Sequence, residues 1–455
     1  MFRLICAIFF LLQCSVNSNY IFGQVSQNMT LEGTWNGNTI SRSGNFYNDC
    51  WGYVDAKGKE YAIIGSPQKI HFIDISNPKS PVLKNEFSGG SASLWRDMKT
   101  YSCYAYAVAD EGQEGLIIFD LKALPDGNIS KTYQKNTDFR RAHNIYIDNA
   151  KGRLYIIGSD TRNNGLIVYD LTQDPANPTL LASTSLPGGY IHDAFVQDNI
   201  AYCSHGYNGL FIYDFTNPTA PIYKASLNTS GYNHSNWITE DGTKLIYAEE
   251  VPTGLPLRIV DLTNVEDDDL SQISSFSASL IGNTTGQVTY HNPYILDNYA
   301  VVSSYEDGVT IFDISNAANP QRIAHYDTYA NTAYSGYNGC WGVYPYFPSG
   351  IIIASDGLNG LFVLSTTISL TTDCNNGQWD AFEESADRGG FCKSNCANSS
   401  NECSDYDRDG FMADIDCDDW NPLVPATPGS ACNDGNPTTS NDVIQADACT
   451  CLGSE

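Results

Sequence analysis

Basic residues are scarce: 24 Lys and Arg stand against 52 Asp and Glu, a formal net charge of −28. Such a chain repels a nucleic-acid backbone, and no Lys/Arg cluster offsets the repulsion. Divalent cations are the more natural partners. Long apolar runs are also missing. The run Leu4–Leu12 falls far below the roughly 20 apolar residues of a bilayer helix, and no other stretch is long enough, so no transmembrane segment is expected. The nucleophile pattern GxSxG and the zinc pattern HExxH are absent, which weighs against the common hydrolase classes. What remains is 42% apolar and only 17% charged, with 29 Tyr, the composition of a globular, strand-rich secreted protein and not of a disordered one.

At the N-terminus Arg3 precedes Leu4–Leu12 and then small and polar residues, the layout of a secretory signal peptide over residues 1–18, with cleavage after Ser18 or as late as Gly23. A lipoprotein signal ending at Cys14 is the rival reading, disfavoured by the large Gln13 where a small residue is wanted. Twelve of the 14 cysteines lie beyond the signal. The expected location is therefore extracellular or at the cell surface, where disulfides persist.

One strand recurs along the chain: GLIIFDL from Gly115, GLIVYDLT from Gly165, GLFIYDFTNP from Gly209 and GVTIFDISN from Gly308, with reduced copies at Ile70 and Leu257. Aligned on the terminal Asp, the copies fall at Asp74, Asp120, Asp170, Asp214, Asp261 and Asp313, with Leu364 in the seventh place, at intervals of 44 to 52 residues. A period of that length made only of strand and turn signals predicts blades of a β-propeller, and seven copies predict seven blades. Each Asp is expected to cap its own turn by accepting a backbone N–H two residues on. The seventh unit lacks a fourth strand, and Asn28–Gly37 resembles the outer strands of other units. The N-terminal segment is thus expected to close the ring, removing the open sheet edge.

From about Thr371 the strand periodicity stops. The last 85 residues hold eight Cys, no His and no CxxC pair, so residues 371–455 read as a small disulfide-rich module and zinc is a poor candidate there. Within it, DYDRDGFMADIDCDD places Asp405, Asp407 and Asp409 at alternate positions, Gly410 at the sixth and Asp416 at the twelfth. Calcium prefers six to eight oxygens, which such a loop supplies around a glycine turn. The Phe411 carbonyl takes the seventh position and Asp414 is a further ligand candidate. The stretch resembles thrombospondin type 3 repeats and the MopE-type metal-binding motif, which implies a structural calcium site.

A second constellation recurs with the blades. The first strand of each unit opens on a pair: Cys50–Trp51, Arg96–Asp97, His143–Asn144, His192–Asp193, His234–Ser235, His291–Asn292 and Cys340–Trp341. Innermost strands line a propeller's channel, so these positions converge at one mouth. Alternation along a strand lets only one residue of each pair face the channel. The imidazoles could ligate a transition metal, or act as acids and bases with Asp97 and Asp193. Alternatively each His bonds a neighbouring blade's backbone, a packing device repeated because the blade is repeated, and this reading is preferred. Cys50 and Cys340 share a register in this alignment, leaving open a disulfide across the seam or two buried thiols. Aromatic turns at His205, Gly231 and Tyr334 could form a face for glycan or protein.

The repeated units and the CWGVYPYF…SDGLNGLFVL ending resemble LVIVD repeats, and residues 28–368 are similar to the choice-of-anchor B family of secreted bacterial proteins. That resemblance implies a propeller held at or released from the cell surface, with no reaction attached. The expectation is an all-β, seven-bladed propeller with a C-terminal calcium module, binding a surface protein or glycan. The alternative is a metal-dependent enzyme centred on the mouth residues Arg96, Asp97, His143, His192, Asp193, His234 and His291.

Overall fold

The computed structural model describes residues 25–370, apart from residues 56, 162–165, 282–285 and 332, together with a strand pair, Ser440–Ile444 with Cys451–Ser454. The signal peptide and the calcium loop Asp405–Asp416 lie outside the described residues.

Short strands rich in Ile, Val, Tyr and Phe, separated by Gly, Asn and Pro turns, form seven antiparallel sheets. Blade 1 runs from Cys50–Val54 to Val82–Ser88, blade 2 from Arg96–Tyr101 to Ser130–Lys135 and blade 3 from Asn144–Asp148 to Thr179–Thr184. Blade 4 runs from Asp193–Gln197 to Ile222–Leu227, blade 5 from Asn233–Ile238 to Ser271–Phe276 and blade 6 from Pro293–Leu296 to Gln321–Tyr326. Blade 7 takes Cys340–Tyr344, Ile352–Asp356 and Gly360–Thr366 from the end of the repeat region and Met29–Trp35 from its start. First strands of neighbouring blades touch in succession, blade 6 meets blade 7 through its second strand Tyr299–Ser303, and blade 7 meets blade 1. The circle is closed as the period predicts. Ser26–Gln27 adds a fifth strand to blade 6 by pairing with His325 and Tyr326, an element the repeat pattern did not reveal.

Burial follows position in the blade. Second strands such as Glu60–Gly65 and Tyr104–Ala109 are buried along their whole length, whereas outer strands such as Ile222–Leu227 start exposed. Facing blades grip through aromatic pairs: Phe72 meets Phe119 at 5.3 Å between blades 1 and 2, and Phe276 meets Phe312 at 5.1 Å between blades 5 and 6. Both are edge-to-face, the arrangement the ring quadrupole favours.

The six recurrent aspartates all cap as expected. Asp74, Asp120, Asp170, Asp214, Asp261 and Asp313 each accept the N–H of the residue two further on, at 2.7–2.9 Å. The seventh place is different. Gly360 stands where Gly115, Gly209 and Gly308 stand, all with positive φ, so the residue five positions on is Ser365 and not Leu364.

The innermost register also needs correction at the seam. The N–H of His143, His192 and His291 donates to the first carbonyl of the second-strand ladder, at Ile157, Ser204 and Ser303, and in blade 1 the residue doing so is Asn48, to Gly65. Asn48–Asp49 is therefore the blade 1 pair, and Cys50–Trp51 lies two residues deeper. Cys50 pairs within its strand with Ile64, while Cys340 opens its strand opposite Asp356 beside a bulge. The two residues do not share a register and both are buried free thiols; Cys340 Sγ is directed at the Gly342 carbonyl, 3.5 Å away. Cys103 and Cys203 are likewise buried and free.

Candidate functional site

The first strands build the channel in layers. Deepest lie Trp51, Lys99, Tyr146, Phe195, Trp237, Tyr294 and Tyr344, one from each blade, three residues after Asn48, Arg96, His143, His192, His234, His291 and, past the bulge at Cys340, Trp341. Phe195 meets Trp237 at 4.6 Å, Trp237 meets Tyr294 at 4.9 Å and Trp51 meets Tyr344 at 5.0 Å. Lys99 Nζ sits 4.4 Å over the Trp51 ring, a cation–π contact. These side chains plug the channel, so the mouth leads into a closed cup.

Above the plug, on the same face of each strand, come Asp49, Asp97, Asn144, Asp193, Ser235 and Asn292. Blade 7 contributes Gly342, where a Cβ would fall 2.0 Å from Asp49 Oδ1; any other residue would expel that carboxyl. Asp97 accepts from Lys99 Nζ at 2.7 Å, Met98 N at 2.8 Å and Ile145 N at 3.0 Å. Asp193 accepts from Asn144 Nδ2 at 2.7 Å and Ala194 N at 2.8 Å. Burial, then the neighbouring Asp97, push Asp49 well above the carboxylate range, and burial holds Asp193 up to about 6. Burial opposes the Lys99 charge, but Asp97, Asp49 and Asp193 outweigh it and its pKa is raised. One cation thus serves a group of three acids.

Across the top lies the histidine layer. The rings of His143, His192, His234 and His291 stack in succession at 4.1, 4.3 and 4.3 Å between centroids. His192 Nδ1 is 3.1 Å from the His234 carbonyl, His234 Nδ1 3.2 Å from the His291 carbonyl and His291 Nδ1 2.5 Å from the Trp341 carbonyl. A carbonyl only accepts, so each Nδ1 must carry the proton and each Nε2 keeps its lone pair. His143 Nδ1 instead meets Asp110 Oδ2 at 2.8 Å. Burial drives His192 well below its usual range and His234 and His291 to about 3. These three rings are neutral at physiological pH. The backbone-bonding reading therefore holds for three histidines, and it leaves the second nitrogen of each uncommitted to packing.

Arg96 opens blade 2 but turns aside: its guanidinium donates to the carbonyls of Ser66, Pro67, Gly89 and Ser91 at 2.9–3.2 Å. Three residues missing from the sequence reading complete the mouth. Asp110, Glu250 and Tyr305 directly follow the second strands Tyr104–Ala109 and Lys244–Glu249 or the residue after Tyr299–Ser303, and no shared identity marks them in the sequence. Tyr305 OH donates to Glu250 Oε1 at 2.6 Å, and Glu250 Oε2 lies 3.7 Å from His234 Nε2. Ligand atoms of His234, Glu250 and His291 all lie within 4.8 Å of one another.

The cup between the acid and histidine layers offers about 50 Å³, room for an ion and a few waters. Around its rim the three aromatic turns meet. Tyr207 contacts Tyr232 at 5.0 Å, Tyr232 contacts His192 at 5.2 Å, and Tyr337 contacts Tyr305 at 5.4 Å.

Fold and site together define a seven-bladed β-propeller with a plugged channel and a polar, histidine-lined mouth. The family model of the LVIVD repeat matches residues 54–88, 188–229 and 294–328, so blades 1, 4 and 6 are LVIVD repeats. No curated protein matches the chain. Among the described residues no helix is long and apolar enough to cross a membrane.

Proposed function

We propose that the protein is a secreted or surface-held binding propeller whose recognition face is the mouth end. The observation that carries this reading is the convergence of three tyrosine-bearing turns on one rim: Tyr207 is 69% exposed and Tyr337 41% exposed, each resting edge-on against a buried or half-buried tyrosine. Rigid aromatic rings with polar tips offer large contact area at low entropic cost, which suits a surface protein or glycan. The test is binding to glycan arrays and to surface extracts by wild-type protein and the Tyr207→Ala, Tyr337→Ala double variant. Loss of a defined ligand by tenfold or more is expected, the scale of an interface hot spot; equal binding by the double variant removes the rim from the account.

The tail adds a structural calcium module in this proposal, with Asp405, Asp407, Asp409, Phe411, Asp414 and Asp416 as ligands, a signal peptide for export and attachment of the choice-of-anchor B kind. Calcium is expected to raise the melting temperature of the full chain, and Asp407→Ala with Asp409→Ala to abolish the rise. A melt indifferent to chelator rejects the module. Catalysis at the mouth has the neutral imidazoles in its favour, yet no nucleophile motif stands with them.

A further inference from the structure

We propose that the mouth is a transition-metal site in which His234 Nε2, His291 Nε2 and the Glu250 carboxylate are the protein ligands and a water or small exogenous ligand takes the remaining position. This rests on the reading of the mouth as the functional end, and gives that end an inorganic partner.

Three independent features support it. The ligand atoms already lie within 4.8 Å of one another, with His234 Nε2 and Glu250 Oε2 at 3.7 Å. Ligands about 2.0–2.1 Å from a tetrahedral metal stand about 3.3 Å apart, so shifts of roughly an ångström close the site. Next, each ligand is aimed by a second hydrogen bond. His234 Nδ1 donates to the His291 carbonyl, His291 Nδ1 to the Trp341 carbonyl, and Tyr305 OH to Glu250 Oε1. A metal-binding imidazole or carboxylate is characteristically held in this way, because the outer bond fixes the tautomer that leaves Nε2 free. Finally, Glu250 comes from the end of a second strand and not from the histidine stack. Ring stacking alone gives no reason for a carboxylate there, whereas a divalent cation does.

The donor set selects the class of ion. Two imidazole nitrogens and one carboxylate suit zinc, copper or nickel; calcium and magnesium want oxygen throughout. The cup has room for a water at the open position. Tyr305 has φ of 27°, an unfavourable backbone conformation for a bulky residue, and it is the residue that positions Glu250. Strain of this kind gathers at functional sites.

The experiment uses the full chain, stripped with chelator, returned to excess calcium so that acidic oxygen sites are occupied, and titrated calorimetrically with zinc and with cobalt. One equivalent is expected to bind to the wild type, with the cobalt spectrum of a nitrogen and oxygen site. Glu250→Gln, nearly isosteric, and His234→Gln are each expected to weaken it about 100-fold or more. Tyr305→Phe is expected to weaken it 10-fold to 100-fold, the scale for loss of a positioning bond. His325→Gln, on the outer strand of blade 6 and away from the mouth, is expected to bind as the wild type does. Should a histidine variant fail to fold, Glu250→Gln alone decides the matter. Absence of a tight equivalent in the wild type, or an unchanged affinity in Glu250→Gln, overturns the site. Rim binding lost with Tyr207 and Tyr337 while no metal binds would sink only this inference; metal bound without any rim ligand would sink only the recognition reading.

Discussion

A chain lacking residues 26–35 is expected to lose its cooperative melting transition or to become insoluble. Met29–Trp35 is the fourth strand of blade 7, paired from Met29 opposite Thr366 to Trp35 opposite Leu361, and Ser26–Gln27 extends blade 6. Without it Gly360–Thr366 becomes an open edge, a template for pairing with another chain. The segment also holds the seam through Trp35, whose ring lies 5.1 Å from His71 and 6.0 Å from Tyr47, both in the blade 1 segment. Net backbone hydrogen bonds of about 0.5–1.5 kcal/mol each, added to the lost apolar contacts, amount to more than about 5 kcal/mol, comparable with the whole stability of a typical domain. A synthetic peptide spanning 26–37 is expected to restore solubility in trans, because the strand's partner is present and only its covalent link has gone. An unchanged melting midpoint in the deleted chain would show that the ring is not closed by this strand.

The second large effect concerns the imidazoles. A solvent histidine gains its proton near pH 6.5, whereas burial holds His234 and His291 at about 3 and His192 well below its usual range. The sign follows from proton counting. Between about 6.5 and the folded values the unfolded chain binds protons that the folded rings refuse, so their contribution to stability is complete above 6.5 and is lost as pH falls. The slope is about 1.4 kcal/mol per pH unit for each ring. Acid thus strains the mouth.

Most of the propeller was legible because a repeat repeats its physics. Strand and turn recur in each unit and the capping Asp in six of the seven, and the missing fourth strand of the seventh unit pointed to the N-terminal segment. The misreadings come from the same source. CysTrpGly occurs at Cys50 and at Cys340, a literal match stronger than the structural one, which pairs Asn48–Asp49 with Trp341–Gly342. Placing Leu364 in the seventh position failed likewise, since the positive-φ Gly360 fixes the register and puts Ser365 there. The histidines were found from sequence because they share a type and a position. Glu250, Asp110 and Tyr305 share a position but no type, and only the fold places Glu250 beside His234. Trp51, Lys99 and Tyr344, in the plug that makes the channel a cup, also differ in type from blade to blade, and their common depth is visible only once the strands are in register.

The account depends most on a layer of neutral rings that present Nε2 to the cup. Nitrogen NMR of histidine-labelled, metal-stripped protein between pH 8 and pH 5 reads this directly. The expected spectrum shows His192, His234 and His291 with Nδ1 protonated and Nε2 bare throughout the range. Titration of these three near pH 6.5, with both nitrogens protonated at pH 5, would contradict it.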